Sequence, residues 1–179
     1  MTQELLQTLR RGLAKSRAVD RKAWCQEIID GAIPLESIFV LLHSDPKTVE
    51  RFTWLIGDLV DTQPAIVAPQ MPLFFDLRHQ LPFPGIYRSV AKWLWKTNVP
   101  PEVESVAIPE LLSWMEDDES QIACKSFAAK ALFLLVRDGR LSHDRVESAF
   151  RSQLNHPNRS YAKRIGKLLT QLQSLESEF

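Results

Sequence analysis

Three blocks of apolar, helix-forming residues recur at a fixed distance along this chain. Thr53 to Gly57 (TWLIG), Ala91 to Trp95 (AKWLW) and Ala129 to Phe133 (AKALF) begin 38 residues apart, and each is followed by a shorter helical pattern and a proline-rich or polar turn. A fourth, shifted copy, AKRIG at Ala162 to Gly166, comes 33 residues later. That period belongs to stacked helix pairs, in which no single pair buries its apolar face and neighbours complete the core. The expected architecture is therefore all-α: a right-handed superhelical stack of about four helix pairs. Residues 1–44 are read as N-terminal helices, 45–157 as the repeated pairs and 158–179 as a capping helix, together one repeat domain.

Local punctuation agrees with the period. Asp45 as N-cap and Pro46 at the first helical position open the helix that holds the first block. Pro84 and Gly85 precede a second helix, which Pro100 and Pro101 stop. Gly139 closes the third, Ser142 opens a shorter one, and NRSYAKRIGKLLTQLQSL supplies the last. No segment alternates apolar and polar residues over a strand's length, so no β-sheet is expected.

The run FTWLIGDLVD, PGIYRSVAKWLW, LLSWMED and SQIACKSFAAKALFLL, within residues 45–137, resembles HEAT-like, armadillo-type helical repeat proteins of bacteria, a group of about this size sometimes labelled adenylosuccinate lyase. The resemblance implies a fold and no activity. The Gly-Ser-Ser loop and the Met-Pro-x-Lys-x-Asn segment of that lyase superfamily are both missing from the sequence.

Helical projection of Ile86–Lys96 puts Ile86, Tyr87, Val90, Ala91, Trp93, Leu94 and Trp95 on an apolar arc of roughly 200°, with the two tryptophans at its opposite edges. So wide an arc fits a helix flanked on both sides, and both tryptophans read as core. The remaining line is Arg88, Lys92 and Lys96. Shifted by one period it continues through Ser126 and Lys130, and backwards through Glu50, Trp54 and Asp58. Trp54 is the anomaly. It falls on the polar side of its helix, among Arg51, Asp58 and Asp61, while Val49, Phe52, Leu55, Ile56, Leu59 and Val60 point elsewhere. An aromatic ring so placed needs a cover, either from the N-terminal helices or from a partner.

Lys plus Arg equals Asp plus Glu at 22 each, which removes any overall field toward nucleic acid or an anionic membrane. The charges are nevertheless segregated: residues 61–119 carry four bases against nine acids, a net of −5, and residues 120–179 ten against five, a net of +5. The beginning of the chain lacks a signal-peptide pattern and nowhere do ~18 apolar residues run together, so a cytoplasmic protein without a membrane span is expected. Cys25 and Cys124 lack metal or redox spacing and read as core residues. The four histidines form no HExxH pattern and read as solvated caps. No phosphate loop or nucleophile elbow occurs. The expectation is a non-catalytic binding or scaffold module, with no cofactor or metal, holding a protein or peptide in a groove lined by Arg51, Trp54, Asp58, Arg88, Lys92 and Lys130. The alternative is a nucleic-acid binder or repair enzyme resembling HEAT-like DNA alkylation-repair glycosylases, which use basic side chains, tryptophans and an acidic residue in such a groove.

Overall fold

Asp45 caps its helix as its chemistry requires: the carboxylate accepts from the Thr48 N–H at 3.1 Å and from the Thr48 hydroxyl at 2.7 Å, and Pro46 occupies the first helical position. In the computed structural model, residues 3–81 and 85–176 are described, and every regular element among them is helical. The expected Pro84 start signal lies outside the described residues. No described helix is long and apolar enough to cross a membrane. The chain divides into two compact units, Met1–Ile86 and Tyr87–Phe179, each taken by itself below.

The first unit contains α1 (Gln3–Leu13), α2 (Ala18–Ile29), α3 (Pro46–Thr62), α4 (Pro64–Val67) and α5 (Met71–Leu77), with 3₁₀ segments at Leu35–His43 and Ala68–Gln70. α3 is the central element, touched by α1, α2, α4 and the longer 3₁₀ segment. Its apolar stripe is spaced at three and four residues, so Val49, Phe52, Leu55, Ile56, Leu59 and Val60 share one face and all are buried. Phe39 meets Phe52 and Phe74 edge-on, with ring centroids 6.4 and 5.3 Å apart.

The second unit holds α6 (Ile86–Lys96, beginning at the boundary), α7 (Glu104–Glu116), α8 (Ile122–Arg137), α9 (His143–Ser152) and α10 (Arg159–Glu176). α8 touches α7, α9 and α10, and a ring stack between Trp95 and Phe127 joins it to α6. α7 also touches α9. Alternate helices are thus neighbours, α6–α8–α10 on one side and α7–α9 on the other. The recurrent blocks all fall inside α-helices: the first in α3, the second in α6, the third in α8 and the shifted copy in α10. One expectation fails. The helix after α6 is longer than α6, 13 residues against 11, because Pro109, exposed on its second turn, is accommodated without ending it.

The turn after α8 uses the backbone chemistry read from the sequence, and the turn after α6 adds to it. Gly139 has φ 70°, the left-handed conformation that suits glycine past a helix end. Before α7, however, Asn98 and Val99 also have positive φ, 57° and 40°, which for a β-branched valine is a real strain. The Arg140 guanidinium holds them there. Its Nη1 donates to the Asn98 carbonyl at 2.8 Å, its Nη2 donates to the Val99 carbonyl, and its Nε donates to Glu104 at 2.9 Å.

Candidate functional site

Arg51, Trp54 and Asp58 belong to the first unit and lie one turn apart along α3. Helical spacing puts the two charged residues on either side of the indole, and tertiary packing then brings in a fourth member, Arg21 of α2. Arg21 Nε donates to Asp58 at 2.8 Å, its guanidinium carbon lies 5.4 Å from the centre of the Trp54 ring, and that of Arg51 lies 4.1 Å from it. Asp58 therefore pairs with Arg21 of the neighbouring helix and not with Arg51 of its own. Trp54 is half-buried, and the cover comes in part from α2. Buried Arg21 has its charge matched by Asp58, whereas the buried Nε of Arg51 has no hydrogen-bond partner and its guanidinium rests on the Trp54 ring. Beside it runs a cleft of about 380 Å³ lined by Lys22, Cys25, Gln26, Ile29, Asp58 and Asp61, among others.

Arg88, Lys92 and Lys130 belong to the second unit. Arg88 is exposed on α6, and Lys92 and Lys130 are half-buried. Lys130 is engaged with an aromatic ring. Its ammonium lies 3.8 Å from the centre of the Trp95 ring, that of Lys96 lies 4.8 Å from it, and Phe127 stacks on Trp95 at 5.6 Å with the ring planes 15° apart. An indole face attracts cations electrostatically, so Trp95 gathers two like charges that would otherwise repel. Lys130 has its pKa lowered by burial first, and then by the charges of Arg164 and Lys96. Among the described residues, neither Lys130 nor Arg164 has a carboxylate partner in this unit.

The two tryptophans of α6 separate here. Trp93 is wholly buried, as its place on the wheel requires. Trp95, also read as core, is half-buried and forms the aromatic floor of the cationic cluster. The signal was present in the sequence: Trp95 adjoins Arg88 at the edge of the apolar arc, and Lys92, three residues before it, and Lys96, just after it, continue the polar side from that edge. Phe127, Arg164 and Arg21 were all missed as members of a cluster, since each joins through packing between helices, whereas Lys96 stood on the polar line of α6 itself.

The thiols have a different character. Cys25 donates to the Leu55 carbonyl at 3.7 Å, and burial, aided by Asp58 and opposed by Arg21, pushes its pKa up to about 12. Burial likewise raises Cys124 to about 12, with Asp117 adding to the effect and Lys125 opposing it. Both are neutral thiols at physiological pH, the inert state of core cysteines. His143 departs from the solvated role expected of it, because it is half-buried with Nε2 3.2 Å from the Leu172 carbonyl. Compared with known protein families, with characterised proteins and with solved structures, the chain matches none.

Proposed function

We propose that this chain is a non-catalytic binding module of HEAT-like, armadillo-type build, which holds a protein or peptide segment on the α6–α8–α10 face of its second unit. The carrying observation is Trp95, half-buried, stacked on Phe127 and flanked by the ammonium groups of Lys96 and Lys130. Aromatic side chains that combine large contact area with adjacent cations supply most of the energy at protein interfaces. The alternation of α6, α8 and α10 against α7 and α9 supports a helix-pair stack, and such stacks present one layer of helices as a continuous surface. Arg88 and Lys92 extend that surface along α6. In the first unit, Arg51, Trp54 and Asp58 are assigned a structural role, closed by Arg21.

A nucleic-acid role is the second reading, favoured by the same cations. Selection of a random displayed peptide library on the full chain tests the first. Peptides should be enriched on the native protein and lost on Trp95→Ala that retains its far-ultraviolet circular dichroism. Equal enrichment on both proteins, or none on either, would overturn the reading.

A further inference from the structure

Four helices of the second unit have their charges sorted by sign, while α9 carries two acids and two bases. α6, α8 and α10 together carry ten Lys and Arg and, apart from Glu176 at the last position of α10, no Asp or Glu. α7 carries three Glu and no Lys or Arg. We infer that the segment held on the α6–α8–α10 face is an acidic stretch of polypeptide, its carboxylates pairing with Lys96, Lys130 and Arg164 around Trp95. The inference rests on the reading of the Trp95 face as a binding surface and adds the chemistry of what binds there.

Three observations carry it. The ammonium groups of Lys96 and Lys130 converge on one indole, within 4.8 and 3.8 Å of its centre, so they are held in place before any partner arrives. Arg164 of α10 is close enough to act electrostatically on Lys130, and no carboxylate of the unit neutralises either of them among the described residues. Lys130 and Arg164 repel each other with no carboxylate of the unit to offset them, and an anionic partner relieves that repulsion, which gives complementarity its direction.

A polypeptide fits better than a single-stranded nucleic acid. Strand binding without sequence preference relies on aromatic faces open to bases. Here the Trp95 ring already carries Phe127 stacked against it and two cations beside it. Trp95 acts as a platform for charge, and the ligand meets the ammonium groups. Carboxylates on flexible side chains suit scattered point cations of this kind, lysine being a compact point charge without the arginine fork.

The test uses fluorescence anisotropy of the full chain with three labelled probes: a short peptide of mixed Glu, Asp and Leu, the same peptide with Gln and Asn in place of the acids, and an oligo-deoxythymidine strand. The acidic peptide is expected to bind at about 50 mM salt and to weaken about tenfold or more by about 300 mM, as screened ion pairs do. Lys130→Gln combined with Arg164→Gln should weaken it by about tenfold in a protein that keeps its far-ultraviolet circular dichroism. Equal binding of acidic and amide peptides, lost on Trp95→Ala, would overturn the inference and leave the binding face standing. Failure of both peptides in a protein whose Trp95 also fails the library selection removes face and inference together. Binding of the oligonucleotide with no binding of the acidic peptide overturns the inference in favour of nucleic acid.

Discussion

The ammonium of Lys125, wholly buried, donates to the main-chain carbonyl of Met115 at 3.1 Å. Met115 lies in the last turn of α7, where carbonyls lack partners within the helix, and Lys125 comes from the first turn of α8. One helix therefore supplies the cap of the helix before it, and the short acidic turn between them is fixed at both ends.

Removing that cap has a graded outcome. Lys125→Met keeps most of the volume but leaves the Met115 carbonyl without its donor, which costs about 1–3 kcal/mol. Lys125→Ala also opens a cavity and should be clearly worse, within the range of about 2–5 kcal/mol known for emptying long buried side chains. Urea melts of the two variants give the comparison. Equal losses would mean that the site closes around alanine and that only the ammonium's hydrogen bond mattered.

Arg140 governs the strained turn. Replacing it with Ala removes charged hydrogen bonds to two carbonyls and to Glu104, and releases Asn98 and Val99 from left-handed backbone. We expect a loss of about 2–3 kcal/mol, the scale of hydrogen bonds made by a charged group. Arg140→Lys should recover only a fraction of that, because a single ammonium cannot span three acceptors. Chemical denaturation of the three proteins decides it; full recovery by lysine would show that charge alone holds the turn.

Acid should weaken the start of α3 in a way that Asn abolishes. Hydrogen bonds from the Thr48 hydroxyl and N–H hold the Asp45 carboxyl below the usual carboxylate range. A pKa depressed in the folded state contributes stability that is present above the unfolded value of about 3.9 and is lost as pH falls through the folded value. Asp45→Asn retains a capping oxygen at every pH. Melting temperatures of wild type and Asp45→Asn should agree at neutral pH and differ in how steeply they fall below about pH 4. Parallel curves throughout would remove Asp45 from the acid response.

Much of this chain is legible because its helices announce themselves. The Asp45–Pro46 start, the Gly139 stop and the stripe from Val49 to Val60 are local signals, each enforced by chemistry within a few residues. The pairing of Arg21 with Asp58, 37 residues apart, is of another kind. Two arginines, Arg21 and Arg51, competed for one carboxylate, and only the packing of α2 on α3 selects the first. Trp95 lies between these cases. Its position at the edge of the apolar arc was readable, but whether that edge is covered depends on which residues the next helix offers, and α8 offers Phe127 and Lys130. The division into two compact units leaves no mark in a sequence whose 38-residue period runs through the boundary.

The three tryptophans give the sharpest separation of packing from function. Trp93 is wholly buried, so Trp93→Ala empties a large site and should cost about 3–5 kcal/mol, with much of the fold lost. Trp54 is half-buried between two guanidinium groups. Its truncation removes cation–π contacts worth about 0.5–2 kcal/mol in total and frees Arg51, yet leaves the Arg21–Asp58 pair in place. Trp95→Ala should cost a similar amount, because a stacked ring and two ammonium contacts are lost from a half-exposed site. Binding should divide them differently: the peptides selected on the native chain should persist on Trp54→Ala and vanish on Trp95→Ala. Thermal melts of the three variants, set beside peptide anisotropy on the two that remain folded, read both properties at once. If Trp54→Ala loses the peptides while Trp95→Ala keeps them, the binding face belongs to α3 in the first unit, and the cluster of Arg21, Arg51 and Asp58 is part of a recognition surface.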